Sequence, residues 1–522
     1  MSGRYGDATP VSARRTVRRL TDPNPLWGSN GVAFGPDGRL HVAQFLAGRI
    51  SAVDLATGDV EVVVPGDGPV QSPDDLAFGP DGSMYITDLI PGRVWRRDPR
   101  GDFSLVTDQV GVPNGIAFVG DRLFVNEMRP NGRLLELLPD GGPPRVLAAD
   151  LAMGNAMQLG PDGRLYYPHM LTNRVYRVPV DGGEPELVAE DVHEPVAVRF
   201  DRGGVLHVLS RGAAGFVTRL DLFGTGDRTV VTSGVVGLDN AAFDDENRMF
   251  VSSFASGGVA EMRPDGRTRE VVPQGFDGPF GVTVDLGGTV YAADHYRLAG
   301  PVDGGVVTHG LLTFVHGVAA DGGLLHVTSQ YGDVRTHDPV TGKTVVRARG
   351  LDRPTGIAVR EDGSLVVAES GAGRVVAVDG SDTVTVLADG FDRPVDVALD
   401  AEQRCYVSDD VRGAVFRVDD GKPVLVADGL DAPQGLAVHG DTLYTVETGG
   451  RRLISVALPT GDRTVEAEDL PVGAPPGETR EEPALFTHGL PGAPRRFAGL
   501  AVAPDGSLYV SADGEGTVLH LA

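Results

Sequence analysis

The sequence predicts an all-β fold on three observations. Short apolar runs with period-two alternation recur along the chain, as in Leu40-His41-Val42-Ala43-Gln44, the pattern of a half-buried strand. Asp-Gly and Gly-Asp pairs separate the runs, and such pairs accept the positive φ that a tight hairpin turn needs. No helical stripe of useful length interrupts the pattern.

The runs group into repeats. Residues 31–64, GVAFGPDGRLHVAQFLAGRISAVDLATGDVEVVV, hold four apolar runs divided by a Pro-Asp-Gly turn, a Gly-Arg step and a Thr-Gly-Asp turn, and the same order returns from Asp75, Gly115 and Ala156. Aligning the first apolar residue of each unit gives Val32, Leu76, Ile116, Met157, Val198, Ala241, Val282, Val318, Ile357, Val397, Leu436 and Leu500, twelve units in all. Four-strand units repeating every ~40 residues are the blades of a β-propeller, and such rings close with about four to eight blades. Two tandem six-bladed propellers are therefore expected, with a seven-plus-five division as the alternative. A lone strand-like run, Thr16–Leu20, precedes the first unit, and the last unit stops after its third strand. Each ring is accordingly expected to be closed by an N-terminal outer strand: Thr16–Leu20 completing the blade around Ala241–Met262, and Thr268–Val272 completing the blade around Leu500–Leu521. This organisation gives a tail at 1–15, a first propeller at 16–266 and a second at 267–522. An insertion at 470–496, rich in Pro, Gly and Glu, is either a solvated excursion or a lid over the second ring.

Composition narrows the partners. The 522 residues carry 72 acids against 46 bases, a formal charge of −26, which disfavours nucleic acid and an anionic membrane surface. The single cysteine, Cys405, cannot form an internal disulfide and sits in an apolar strand pattern that suits a buried, inert thiol. No apolar run reaches 18 residues, so no transmembrane helix is expected, and the Arg pair at Arg14–Arg15 is not followed by a signal-peptide core. Only Lys343 and Lys422 are lysines, an arginine skew typical of a high-GC genome. A soluble bacterial protein of the cytoplasm is the expectation. Nucleophile-elbow, phosphate-loop, dinucleotide and zinc-protease motifs are absent.

In a propeller the first strand of each blade lines the channel, so the residue two before each anchor faces one mouth. In the first ring these are Asn30, Asp74, Asn114, Asn155, Val196 and Asp239; in the second they are Phe280, His316, Thr355, Val395, Gln434 and Ala498. Carboxylate and amide oxygens converging on one axis suit a hard divalent cation, Ca²⁺ or Mg²⁺, so Asn30, Asp74, Asn114, Asn155 and Asp239 are the candidate metal ligands. Asn and Asp also suit strand starts through side-chain-to-backbone hydrogen bonds; the second ring has the same turns without the same residues. The ends of the second strands add Gln44, Asp88, Glu127, His169, Ser210 and Ser253, with Arg211 beside them, as acid, base and cation candidates. The equivalent second-ring set, Asp294, Ser329, Glu369, Asp409 and Glu447, is expected to form an acidic solvated rim. His41, His207 and His326 stand where other blades carry aromatics and are read as packing or surface residues.

At SPDDLAFGPDGSMYITD and VPNGIAFVGDRLFVNE the sequence resembles the gluconolactonase and senescence-marker-protein-like six-bladed propellers, with their NHL, paraoxonase and strictosidine-synthase-like relatives. The resemblance runs over nearly the whole chain, twice. It implies a divalent cation at Asp74 and Asn114, and LDNAAFDDENRMFVSS is similar to a calcium-binding Asp-Asn pair, implying Asp239 and Asn240. The glutamate that opens the first blade in lactonases has no counterpart; Gly28-Ser29-Asn30 stands there.

The expectation is an enzyme acting on a small-molecule substrate at the first-ring mouth. A bound cation would polarise a carbonyl, His169 or Glu127 would move a proton, and Arg211 would stabilise negative charge. Lactone or ester hydrolysis is favoured. A lyase, isomerase or cyclase on the same scaffold is an alternative, and so is a non-catalytic binding protein. The second ring is expected to be metal-free, a structural partner or a wall on the substrate side. The competing idea places a metal-free active pocket in that second mouth, with His316 and Glu369 as proton carriers.

Overall fold

The computed structural model describes residues 4–6, 8–138, 141–302, 306–310, 314–475 and 492–522. It contains twelve four-stranded antiparallel sheets. The innermost strands Ser29–Phe34, Pro73–Phe78, Pro113–Val119, Gln158–Leu159, Pro195–Phe200 and Leu238–Phe243 touch in succession, and the sixth returns to the first. A second circle follows: Pro279–Val284, Val315–Asp321, Pro354–Val359, Pro394–Leu399, Pro433–His439 and Leu500–Val502, again with last against first. The chain forms two tandem six-bladed β-propellers.

The closure of the rings corrects the expected strand exchange. Thr268–Val272 pairs with Val259–Met262 of its own blade, across the turn Arg263–Arg267, where Arg263 N bonds Arg267 O at 2.8 Å and Gly266 N bonds Arg263 O at 2.9 Å. A five-residue turn closes at far lower entropic cost than pairing with a strand some 250 residues away. Val17–Arg19 instead pairs with Thr517–Leu521, matching Val17 to Leu521 and Arg19 to Leu519. All six sheets of the first ring are thus built from four consecutive strands, and the first ring lies between the outermost strand of the second ring and the rest of that ring.

Side-chain packing closes the first ring without an exchanged strand. Leu26, Val32, Leu40 and Val42 pack on Phe250, Val259 and Val272 of the sixth blade, and Phe34 meets Phe250 edge-on at 5.9 Å. Burial of each such large side chain contributes about 1.5–3 kcal/mol. Ser29 Oγ donates to Gly257 O at 2.6 Å and Ser252 Oγ to Asn30 O at 2.5 Å across the same seam. In the second ring, Gly499 N bonds Phe280 O at 2.9 Å.

The innermost strands share a register break just before the anchor, between Ser29 and Val32, Pro73 and Leu76, Pro113 and Ile116, and Leu238 and Ala241. Such breaks re-aim side chains near a rim. They leave little room between neighbours: a Cβ on Gly31 would stand 2.5 Å from Asp75 Cα, and one on Gly115 would stand 2.3 Å from Asn155 O.

Candidate functional site at the first-ring mouth

Asn30, Asp74, Asn114, Asn155, Asp239 and Arg211 line one cavity of about 90 Å³ at the mouth of the first ring. The five expected metal ligands are all no more than 7% exposed. Asn114 Nδ2 donates to Asp74 Oδ1 at 2.8 Å and to Met128 Sδ at 3.1 Å. Asn155 turns its amide nitrogen to the sulfurs of Met128 and Met170, at 3.5 and 3.4 Å, while its oxygen accepts from Ala156 N at 2.6 Å. Asn114 Oδ1 is buried without a partner.

A second polar layer lies one residue further along the strands. Asn240 Nδ2 donates to Asp75 Oδ1 at 3.0 Å, and the Arg199 guanidinium stands 3.9 Å from Asp75 Oδ2 while donating to the carbonyls of Ala241, Met157 and Val198. Burial, then the Asp75 charge, push the Asp74 carboxyl up to about 8 against the Asn114 bond. Burial, then Asp74 and Asp75, hold Asp239 well above the usual carboxylate range despite Arg199. Burial also raises Asp75, with Arg199 opposing. Asp75 and Asp239 thus share the buried Arg199 guanidinium, while Asp74 has the Asn114 amide alone against its burial.

Asn240, which the resemblance pairs with Asp239 at a cation, instead spends its amide on Asp75; Asp75 and Arg199 were missed in the sequence, though their signal is there. The position before the anchor reads Gly31, Asp75, Gly115, Ala156, Ala197 and Asn240, so two polar residues stand among small ones. Arg199 occupies a position that is Ala33, Ala77, Ala117 and Ala242 in other blades. Also missed were the methionines of the lining, Met128, Met153 and Met170, and the aromatics Phe254, Tyr296 and Phe314. Tyr296 and Phe314 belong to the second ring, and nothing in a repeat alignment shows that one ring faces the other.

Of the expected catalytic residues, Arg211 lines the cavity, whereas His169 and Glu127 do not appear in its described lining. His169 packs on Tyr176, tilted by 38° at 4.4 Å, and lies 5.6 Å from Tyr167; burial, then Arg174, lower it to about 4, so it is neutral at pH 7. Glu127 is held by Arg129 and Arg133 at 2.9 and 2.6 Å and accepts from Gly111 N at 2.9 Å. Burial opposes its ionisation, yet Arg133, Gly111 and Arg129 together keep it below its ordinary value.

Glu127 shares this bracing role with its counterparts. Gln44 accepts from Trp27 N, Asp88 from Ser72 N, Asp294 from Gly278 N, Glu369 from Asp352 N, Asp409 from Asp392 N and Glu447 from Asp431 N. The end of each of these second strands pins the segment that leads into its own blade. The acidic rim expected of the second ring is therefore corrected: Asp294, Glu369, Asp409 and Glu447 are no more than 2% exposed, because the entering backbone amides use them.

The second channel is filled by its own side chains. Phe280, Val395 and Phe497 pack together, and His316 lies between Phe280 and Phe497 with ring separations of 5.0 and 5.4 Å. Its Nε2 meets Arg495 O at 2.8 Å. With Glu369 bound to Arg374 and Asp352 N, both proposed proton carriers of that mouth are engaged. Of the expected insertion, residues 476–491 lie outside the described residues; Ala493–Arg496 border a larger cavity of about 370 Å³ with Trp27 and Phe280. Another cavity, about 230 Å³, contains Asp396, whose oxygens accept Val397 N and Leu436 N. Neither cavity pairs carboxylates as the first mouth does.

Cys405 is buried, with its thiol pushed up to about 12 by burial. His41, His207 and His326 are buried packing residues, with His41 edge-on to Phe78 and His207 edge-on to Phe243. No helix among the described residues is long and apolar enough to cross a membrane.

No family model matches the sequence, and no curated protein matches it. Among solved structures it is similar to a streptogramin B lyase, with 17% identity over 54% of this chain and 95% of that chain, TM-score 0.40. It is similar to a gluconolactonase from Xanthomonas campestris, with 17% identity over 47% and 93%, TM-score 0.39. The extracellular domain of a putative hybrid two-component system from B. thetaiotaomicron shows 9% identity over 97% and 82%, TM-score 0.33. At these identities and scores the likenesses carry no argument about what this chain does.

Among the described residues no group of three or more His, Cys, Asp or Glu is placed to hold a metal. The first mouth offers a different donor set, two carboxylates with amide oxygens. Its unpartnered Asn114 Oδ1 and its mutually repelling Asp74 and Asp239 fit a hard cation.

Proposed function

We propose that this chain is an enzyme that hydrolyses a lactone or ester of a small organic molecule at the first-ring mouth. The observation that carries the reading is the burial of Asp74 beside Asp239, two carboxylates that repel one another in a cavity lined by amide oxygens. Asp74, Asp239, Asn30, Asn114 and Asn155 would hold a divalent cation, which supplies Lewis-acid polarisation of a carbonyl when bound.

The chain's own residues do the rest. Arg199 and Asn240 hold Asp75 in the layer below, so the negative field at the mouth is fixed by groups that do not meet the substrate. Arg211, at the rim, places positive charge where an oxyanion develops. Asp74, its carboxyl pushed up to about 8 by burial and the Asp75 charge, carries a proton at neutral pH without the cation and would release it on binding one. Metal analysis of the purified protein, with turnover of a lactone panel by wild type, Asp74→Ala and Asp239→Ala, tests the reading. Loss of about a hundredfold in rate in both variants is expected; unchanged turnover in both overturns it.

A further inference from the structure

The first-ring cavity is not walled by the first ring alone. Tyr296 and Phe314, both from the second ring, line it. Tyr296 is 4% exposed and belongs to the same apolar cluster as Met128, Met153 and Met170. Its ring meets Phe254 of the first ring edge-on at 5.0 Å and lies 6.0 Å from Phe314; Phe314 in turn packs on Tyr331 at 4.4 Å.

The lining divides by chemistry. Asp74, Asp239, three asparagines, Arg211 and the Tyr296 phenol supply the polar part, and the rest is three thioethers, two phenyl rings and Val196. A buried hydroxyl without a partner costs free energy, so a polyhydroxylated molecule would leave hydroxyls unpaired against the thioethers, phenyl rings and Val196 of this lining. Thioethers adapt to the shape of an apolar body and pack well on aromatic rings. At about 90 Å³, with one water taking up roughly 30 Å³, the cavity seats the reacting end of a molecule, not a large one.

We infer that the second ring completes the first-ring site, and that Tyr296 with Phe314 selects lactones or esters carried on a compact apolar or aromatic body, the Tyr296 hydroxyl donating to an oxygen of the bound molecule. The inference rests on the reading of the first mouth as the reactive site. Burial keeps the phenol far above its ordinary range, and the Tyr331, Asp277, Asp74 and Asp239 charges add to this. The hydroxyl is therefore a proton-bearing donor at any working pH.

The test uses the full chain and separates binding from turnover. Two non-hydrolysable probes, 2-tetralone and D-glucono-1,5-lactam, are titrated by calorimetry, and 3,4-dihydrocoumarin and D-glucono-1,5-lactone are assayed for hydrolysis. Tetralone is expected to bind at least about tenfold more tightly than the lactam. Tyr296→Phe, which keeps the ring packing, is expected to weaken tetralone binding about three- to tenfold, the worth of one neutral hydrogen bond. Phe314→Ala is expected to weaken it comparably while leaving the far-ultraviolet circular dichroism unchanged. Tetralone binding that weakens in both variants, with neither lactone hydrolysed, supports this inference and overturns the hydrolytic function. Lactone hydrolysis with kcat and KM unchanged in both variants overturns the inference and leaves the function standing. Equal binding of the two probes, or binding of neither, also overturns the inference.

Discussion

Asn240 reaches across the channel of the first ring and donates to Asp75 Oδ1 at 3.0 Å, joining the sixth blade to the second over the first. Only a residue without a side chain leaves that path open, and Gly31 is the residue between them: its Cβ would stand 2.5 Å from Asp75 Oδ1. This bond beneath the mouth thus depends on three blades at once.

Removing the donor isolates this layer. Asn240→Ala leaves a buried carboxylate one bond short and is expected to cost about 1–3 kcal/mol. Gly31→Ala is expected to cost more, since the nearest atom is the backbone of Asp75. Urea denaturation of both variants checks the order.

Cation binding should be linked to protons. With Asp74 near 8, a cation must displace a proton below that pH, so affinity rises as pH rises towards 8, by about tenfold per unit for each proton released. Asp239 adds to the Asp74 proton where it too is protonated. Calorimetric titration of Ca²⁺ at pH 6, 7 and 8 in buffers of different ionisation enthalpy measures both the slope and the released proton. Asp74→Asn should flatten the slope.

The second ring gives a pH effect independent of any cation. Burial pushes Asp396 up to about 7 against the Leu436 and Val397 amides, while an unfolded Asp titrates near ~3.9. The folded state therefore binds the extra proton between these values, and its stabilisation is complete below pH ~4 and lost as pH rises to about 7. Melting temperature should fall across that window, less steeply in Asp396→Asn; Asp513, raised to about 6 by burial, acts in the same direction, as do the raised carboxyls of Asp277 and Asp294.

His169 and Glu127 separate packing from catalysis. His169→Phe should leave turnover within about twofold, because the ring packs on Tyr176 and is not part of the described cavity lining. Glu127→Gln should destabilise by up to about 3 kcal/mol, since it breaks a buried carboxylate paired with two arginines. Steady-state kinetics and thermal unfolding of the two variants distinguish the roles; a hundredfold loss of rate in His169→Phe would return it to the chemistry.

Much of the architecture was legible because strand alternation and Asp-Gly turns are local signals. The twelve units, from Val32 to Leu500, correspond to twelve sheets. The convergence of Asp74, Asn114 and Asp239 was legible for the same reason, since equivalent positions in a repeat must meet around an axis. Closure was not legible: nothing local to Thr16–Leu20 tells whether its partner is Val259–Met262 or Thr517–Leu521. The second-strand acids were misread because a carboxylate that accepts backbone amides, such as Asp88 from Ser72 N, looks in sequence like one that faces solvent. Tyr296 was invisible as a site residue because its role depends on how two rings face each other.

The pairing of Val17–Arg19 with Thr517–Leu521 sets an order on how the molecule can form during synthesis. Every sheet of the first ring is complete once Val272 has been made, so that ring can assemble while later residues are still being translated. The earliest strand, made before all of it, must stay unpaired until Leu521 emerges. During that interval Val17–Arg19 and the neighbouring Leu20 are exposed to chaperones and to other nascent chains, and the last blade is the step at which a misassembled pair of molecules would exchange strands.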